Sequence, residues 1–150
     1  MSLVTRGSRE IYMYSIGELS KRTNVKIPTI RYYEEMGLLV EPERSEGNQR
    51  RYDHEGLERL SFIKHARDLG FSIEAISSLI ELQGHPDQSC KAATDIADAQ
   101  LSDVRQKIKK LRSLEKELNR IAKGCDGGGL SEDCYVLASL ADHKLCNQAH

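Results

Sequence analysis

The most regular pattern of apolar positions lies in the second half of the chain. Successive positions of one helical seam are alternately four and three residues apart there, and they hold Ala97, Leu101, Val104, Ile108, Leu111, Glu115, Leu118 and Ala122. This heptad pattern, with one polar break, predicts a long helix from about Ser89 to Lys123. A lone helix would leave so narrow a seam in water. The pattern therefore favours a coiled coil between two chains over packing within one domain.

Two short helices are predicted near the start of the chain. Ser15, with Glu18 three residues on, forms a capping box for a helix over 16–22. Pro28 opens a second helix over 29–36, and a glycine ends it. Two short helices joined by a tight turn are typical of a helix-turn-helix unit.

A hairpin and two more helices follow. Residues 38–52 (LLVEPERSEGNQRRY) form two short arms around a turn at 46–48, which predicts a β-hairpin, or wing. Asp53 caps a helix over 54–69, and Ser72 caps the next one.

The sequence beyond the long helix predicts a glycine-rich loop, followed by a short helix over about 134–145. We expect Val136, Leu137 and Leu140 of that helix to pack back onto the coiled coil. The opening MSLVTRGS is similar to a protease-cleavage linker, so we expect a tag or disordered start and a natural start near Met13. The predicted segments, in chain order, are this start, the helix-turn-helix domain, the dimerisation helix and the C-terminal loop, at 1–12, 13–84, 85–123 and 124–150.

Composition narrows the class of protein. The chain has 150 residues, of which 30% are charged and 5% aromatic, and this favours a helical, elongated protein. A net charge of −1 excludes a uniformly basic nucleic-acid coat. No apolar run approaches the ~20 residues that a membrane span needs, and we expect a cytoplasmic protein that does not associate with membranes. Its four cysteines would stay reduced there, so they indicate metal or redox chemistry.

The spacing of three cysteines predicts a metal site shared between chains. Cys90 precedes Lys91 at the start of the long helix, which favours the thiolate, whereas Cys125 and Cys134 follow the end of the helix. Cys90 and Cys125 lie 35 residues apart, and a helix of that length rises roughly 50 Å. No ion spans that gap, but an antiparallel partner would bring its own Cys90 to this loop. The alternative, small buried hydrophobic cysteines, does not suit their glycine and acidic neighbours.

Two weaker candidates lie near the C-terminus. His143 and Cys146 are three residues apart, so on a helix they share a face and would bind a second ion or complete the first site. A frayed polar tail explains them equally well.

Basic residues gather around the predicted helix-turn-helix unit and wing: Lys21, Arg22, Lys26, Arg31, Arg44, Arg50 and Arg51. Tyr32 and Tyr33 stand beside Arg31. Such donors make contacts with DNA phosphates. The alternative is a solvated charged face with one of the tyrosines in the core.

Several segments together resemble the MerR family of bacterial transcription regulators. They are Ile16-Gly17-Glu18-Leu19, Thr29-Ile30-Arg31-Tyr32-Tyr33-Glu34, Gly37-Leu38-Leu39, Arg44-Ser45, Gly47-Asn48-Gln49-Arg50-Arg51-Tyr52 and Leu69-Gly70-Phe71-Ser72. The resemblance covers nearly all of 13–140. One departure is Gln49, where the family often has an aromatic residue.

The resemblance implies a mainly α fold, with a winged helix-turn-helix domain, a long antiparallel coiled-coil dimerisation helix and a C-terminal metal-binding loop. Family members of this kind act as homodimers on double-stranded promoter DNA. They distort the DNA when the inducer binds, so that RNA polymerase starts transcription. By resemblance, Arg31, Tyr33, Arg44 and Arg50 contact DNA.

The resemblance also bears on the inducer. Copper(I) sensors of the family carry Ser where this chain has Cys90, so the resemblance implies a divalent ion: mercury, lead, cadmium or zinc. Three thiolates suit soft, large ions, whereas zinc would need a water, His143 or Cys146 as a fourth ligand.

Three other functions remain open at this point. The same thiols would serve a redox- or electrophile-responsive regulator of the same fold. A thiol-based metal-handling lyase is a second alternative, but the chain shows no substrate pocket and little acid chemistry near the cysteines, so we expect no enzyme. A coiled-coil adaptor is the third.

Overall fold

The computed structural model describes residues 2–6, 9–125, 127–142 and 144. The strands are β1 Ser2–Arg6, β2 Arg9–Ser15, β3 Glu43–Arg44 and β4 Arg50–Tyr52. The helices are α1 Ile16–Thr23, α2 Ile27–Glu35, α3 His54–Asp68, α4 Ile73–Gln83, α5 Lys91–Lys123 and α6 Tyr135–Ala141, with a 3₁₀ turn at Ser131–Asp133. The chain divides into two compact units, Met1–Ala93 and Thr94–His150. The mainly α class is confirmed.

The predicted capping box at α1 is present. The Ser15 hydroxyl accepts a hydrogen bond from the Glu18 amide at 3.2 Å, and the Glu18 carboxylate accepts one from the Ser15 amide at 2.7 Å. The hydrogen bond from the Ser15 amide is the largest of the causes that lower the pKa of Glu18. Helix α2 begins at Ile27, two residues earlier than predicted, because Pro28 is accepted in the first turn of a helix.

The predicted wing is also present. Strands β3 and β4 are antiparallel, with Arg44 opposite Arg50. The turn is closed by a hydrogen bond of 2.8 Å from the Ser45 amide to the Gln49 carbonyl, and Asn48 adopts φ 59°. Asparagine tolerates this left-handed conformation better than most residues.

The N-terminal segment differs from the expectation of a disordered start over 1–12. Strand β1 pairs antiparallel with β2, and β2 pairs with β4, which gives the sheet order β1-β2-β4-β3. Segment 11–14 is rich in aromatic and apolar residues, which favour strands. Met13 and Tyr14 at the end of β2 are buried, so packing on the core accounts for this strand. The origin of the segment from a tag stays a prediction.

One hydrophobic core joins the first four helices to the base of the wing. It contains Tyr14, Leu19, Val25, Ile30, Tyr33, Leu38, Leu39, Tyr52, Leu60, Ile63, Ala66 and Ile76. The buried residues of α3 are Leu60, Ile63 and Ala66, and Ile76 is buried on α4. Each fully buried leucine or isoleucine contributes about 1.5–3 kcal/mol.

A nearly buried carboxylate ties α2 to the wing. Glu34 of α2 accepts a hydrogen bond from Arg50 Nε at 3.0 Å and another from the Tyr52 hydroxyl. Burial raises the pKa of Tyr52, and the hydrogen bond to Glu34 raises it further. The Glu34 contact therefore fixes the orientation of the wing relative to α2.

The predicted long helix is present as α5, and its seam is open within the single chain. Leu101, Ile108, Leu111 and Leu118 of the seam are exposed by 42–64%. Glu115, the polar break, is exposed as well. None of the helices in the described ranges combines the length and apolar character that a membrane crossing requires.

The leucines of α6 are exposed in the single chain. Leu137 and Leu140 are exposed by 54% and 69%, whereas Ser139 is buried. Val136 is half-buried. The packing of these residues on a coiled coil of two chains therefore stays a prediction. The ring of Tyr135, at the first position of α6, lies against Gly124 just after α5.

We predict that Tyr52→Phe lowers the free energy of unfolding by about 1.5–3 kcal/mol, because a hydrogen bond to a charged acceptor is lost. Since the folded pKa of Tyr52 is raised, its stabilising effect is present below the unfolded tyrosine pKa of about 10 and is lost as pH rises above it. Urea unfolding between pH 8 and about 11 should show a shallower alkaline loss in the variant. Tyr32→Phe, on the same helix as Glu34, is the control and should behave as wild type.

Candidate functional site

The basic residues predicted to bind DNA all lie in α1, α2, the turn between them and the wing. Five of the seven are exposed, and Arg50 and Arg51 are half-buried. The guanidinium of Arg22 lies over the ring of Tyr14, 5.0 Å from its centroid. Arg44 donates a hydrogen bond of 3.3 Å to the Asn48 carbonyl in the turn of the wing. The structure thus places this cationic set on one compact unit.

Two of the residues predicted to contact DNA, Arg50 and Tyr33, make other interactions in the structure. Arg50 makes the ion pair with Glu34, at 3.0 Å, so it helps to position the wing. Tyr33 belongs to the core and is 6% exposed, whereas Tyr32 is 45% exposed. The exposed tyrosine beside Arg31 is therefore Tyr32. The role of Tyr33 in contacting DNA remains a prediction that its burial does not favour.

The structure brings Cys125 and Cys134 together. The Cys125 side chain lies close enough to Cys134 to lower the pKa of the Cys134 thiol as a hydrogen-bond partner. Both residues line an open concavity in the glycine-rich loop, together with Lys123, Gly124, Gly127, Gly129, Leu130, Ser131 and Asp133. The loop thus presents two sulfur donors to one space.

The surroundings of Cys134 favour its thiolate. The amide of Leu137 is the largest cause that lowers the pKa of Cys134; burial opposes it, and the Val136 amide and Cys125 lower the pKa further. Cys134 directly precedes α6 and is its N-cap residue, but its side chain makes no capping hydrogen bond. The amides act on the sulfur through their partial positive charge. A lowered pKa reduces competition between protons and a metal ion for the sulfur.

Cys90 lies at a different place in the chain, directly before α5, and it is exposed. It borders a mostly apolar cavity of about 340 Å³ that Phe62, Leu79, Leu82 and Pro86 also line. Within the described residues of one chain, no group of three or more His, Cys, Asp or Glu side chains is placed to hold a metal ion. The described part of a single chain therefore offers a pair of thiols in the loop and one thiol elsewhere.

The remaining ligand candidates, His143 and Cys146, lie outside the described residues, as does Asp126 beside Cys125.

Three residues next to the thiol pair were missed by the sequence analysis. Glu117 and Arg120 form an ion pair on α5, and Arg120 also donates a hydrogen bond to the Tyr135 hydroxyl. The spacing of Glu117 and Arg120, three residues apart on a helix, could have indicated this ion pair from the sequence. The tyrosine directly after Cys134 was the other.

Comparison with known proteins gives the family. A model described as MerR HTH family regulatory protein matches residues 14–83, and one described as MerR, DNA binding matches residues 57–121. The regulator ZntR of Escherichia coli K12 is 38% identical over 130 residues, which cover 85% of this chain and 92% of that protein. The chain belongs to the MerR family. Members of this family are DNA-binding transcription regulators, so this MerR-family chain is a regulator and not an enzyme.

Two other relatives name metals. The mercuric resistance operon regulatory protein of Bacillus cereus is 32% identical over 127 residues, which cover 85% of this chain and 96% of that protein. The crystal structure of the transcription regulator PbrR691 from Ralstonia metallidurans CH34, in complex with lead(II), superposes with a TM-score of 0.73. It is 41% identical and covers 85% of this chain and 98% of its own.

We predict that Cys134 is alkylated by iodoacetamide with a pH midpoint below the value of about 8.5 of an ordinary cysteine. The reason is that the nearby amides and Cys125 lower its pKa, so the thiolate forms at a lower pH. Mass spectrometry of the reduced protein between pH 6 and about 10 would give the midpoint. Cys125→Ala should raise it, and an unchanged midpoint in that variant would contradict the contact.

Proposed function

We propose that this protein is a metal-sensing transcription regulator that activates efflux or detoxification genes by distorting promoter DNA when a soft divalent ion binds. The observation that carries the proposal is that Cys125 and Cys134 lie close together and line one concavity in the loop after α5. Cytosolic thiols are kept reduced, so in that compartment the pair would be available to an ion.

The donor set suits a soft cation. Thiolate sulfur selects soft and borderline ions such as mercury, lead, cadmium and zinc. The loop supplies two sulfurs to one concavity, and Asp133 lines the same space. Among the described residues of one chain, no third ligand completes the group. We infer that the partner's Cys90 is the third ligand.

The open seam of α5 supports the dimer that this site requires. Its exposed leucines and isoleucine form the narrow apolar stripe that a coiled coil buries between two helices. Cys90 and Cys125 are separated in the chain by the 33 residues of one continuous helix. An antiparallel pair places the start of each helix beside the end of the other, so each end of the pair would carry one complete site.

The relatives support a thiolate-binding ion. One is named for mercuric resistance and another was crystallised with lead(II). Mercury and lead are large, soft ions for which three thiolates suffice, whereas zinc would require a fourth ligand. We propose mercury or lead ahead of cadmium and zinc, with His143 or Cys146 as fourth ligands where zinc binds.

The DNA side of the proposal rests on the exposed cations of α1, α2 and the wing. We propose that they bind the phosphates of double-stranded promoter DNA, with one set from each subunit of the homodimer. Ion binding at each end of the helix pair would shift the dimer between two conformations. The bound DNA would change shape with the dimer. RNA polymerase would then start transcription on the distorted promoter.

A second candidate is a redox- or electrophile-responsive regulator with the same fold. The contact between Cys125 and Cys134 is the observation that favours it, since two adjacent thiols also form a disulfide readily. A tight stoichiometry of one ion per site under reducing conditions would favour the metal sensor. A transcriptional response to oxidant without added metal would favour the redox sensor.

The cross-chain site predicts a specific result in mixed dimers. One subunit would carry Cys90→Ser and the other Cys125→Ser with Cys134→Ser. In an antiparallel dimer this combination retains one complete three-thiolate site, whereas a site within one chain would be broken in both subunits. We expect one lead ion per mixed dimer, measured from the lead–thiolate absorbance under reducing conditions.

The matched control places all three substitutions in one subunit opposite a wild-type subunit. A cross-chain site is then broken at both ends, so lead binding should be lost. Lead binding by this control, together with none in the mixed dimer, would place the site within a single chain.

We predict that Arg31→Ala weakens promoter binding by the homodimer roughly tenfold and lowers the number of counterions released on binding by about two. Arg31 is exposed on α2, and each of the two subunits loses one phosphate contact. Fluorescence anisotropy over a salt series measures both quantities. Lys109→Ala, which removes an exposed cation from α5, is the control. Equal effects of the two variants would contradict the assignment.

A further inference from the structure

The geometry points to a clamp, formed by Glu117, Arg120, Tyr135 and Gly124, that holds Cys125 and Cys134 side by side before an ion arrives. The inference rests on the proposed metal-sensing function for its biological purpose, and it assigns positioning residues to that site. None of the four clamp residues is itself a metal ligand.

The first part of the clamp is an ion pair on α5 between a buried glutamate and a half-buried arginine. Glu117 is only 7% exposed. It accepts a hydrogen bond of 3.0 Å from Arg120 Nε, and a second guanidinium nitrogen of Arg120 bonds the other carboxylate oxygen. Removing a charge from water is costly unless it is paired. The buried carboxylate therefore fixes the orientation of the Arg120 guanidinium.

The second part of the clamp connects α5 to the residue after Cys134. Arg120 donates a hydrogen bond to the Tyr135 hydroxyl, and its guanidinium carbon lies 5.7 Å from the centroid of the Tyr135 ring. A cation near an aromatic ring is attracted to the face of the ring. Arg120 thus holds both the hydroxyl and the ring of Tyr135.

The third part of the clamp is a close contact at the base of the loop. The Tyr135 ring lies so near Gly124 that a Cβ at that position would overlap ring carbons. Gly124 directly precedes Cys125, and Tyr135 directly follows Cys134. The contact between ring and glycine therefore brings the two cysteines together.

The loop between the cysteines would not do this alone. It contains three consecutive glycines at 127–129, and glycine loses more conformational freedom on ordering than other residues. Binding an ion would then carry the entropic cost of closing the loop. A clamp at the base of the loop supplies part of that ordering in advance, and such preorganisation strengthens binding without a new ligand contact.

A metal-free measurement tests the clamp. In a Cys90→Ser, Cys146→Ser background, only Cys125 and Cys134 remain of the four cysteines. Equilibration with glutathione forms one disulfide between them while the S–S bond of one oxidised glutathione breaks and two reduced molecules form. The two electrons and two protons lost by the protein thiols pass to glutathione. The equilibrium constant measures the effective concentration of one thiol at the other.

We expect Tyr135→Phe to lower this effective concentration roughly tenfold, because one hydrogen bond to a charged donor is lost while the ring remains. Gly124→Ala should lower it further, since the ring must move. Leu137→Ala, which alters an exposed side chain on the same helix, is the control and should leave it unchanged. Circular dichroism confirms that each variant is folded. An unchanged constant in Tyr135→Phe would overturn the clamp even if Gly124→Ala failed to fold.

A second readout separates failure of the clamp from failure of the proposed function. In the full chain, Tyr135→Phe should weaken lead(II) binding by a factor similar to that in the glutathione measurement, and Cys125→Ser should weaken it far more. If Cys125→Ser binds lead as wild type does, the metal proposal fails while the glutathione constant still decides the clamp. If Cys125→Ser loses lead but Tyr135→Phe changes neither measurement, the clamp alone is refuted.

Discussion

A carboxylate that packing has removed from water requires a cation, and this requirement organises both compact units of the chain. Glu34 is paired with Arg50 and accepts a hydrogen bond from Tyr52. Glu117 is paired with Arg120, which in turn donates to Tyr135. The two units thus use the same three residue types. In the first unit the result is a fixed wing, and in the second it is a fixed base for the cysteine loop. Each glutamate is costly if left unpaired, so each arrangement resists partial disruption.

The elements that local sequence patterns specify were predictable. The capping box at Ser15, the cap at Asp53, the wing turn and the long α5 all follow from residues a few positions apart. The contacts between distant residues were not. Glu34 meets Tyr52 across 18 positions and Arg120 meets Tyr135 across 15, and no periodic pattern connects such pairs. Which of Tyr32 and Tyr33 is buried depends on the packing of the whole domain.

The candidate metal site was predictable in its residues but only partly in its geometry. The sequence identified Cys125 and Cys134 as neighbours across a flexible loop, and the structure places them in one concavity. The sequence did not indicate that the Tyr135 ring lies against Gly124 at the base of that loop. Membership of the MerR family follows from residues spread over most of the chain, whereas the proposed ion site depends on a few cysteines.

The exposed apolar seam of α5 makes the stability of the regulator depend on its own concentration. With a second copy covering the exposed leucines and isoleucine, the folded form is favoured by mass action, and its stability rises with the amount of protein in the cell. A scarce regulator would exist partly as single chains, each with an apolar stripe in water and a loop without the third sulfur that we propose for the site. Under the proposed function, the expression level would then set the ion concentration at which the genes respond, without any change in the affinity of the sulfur ligands.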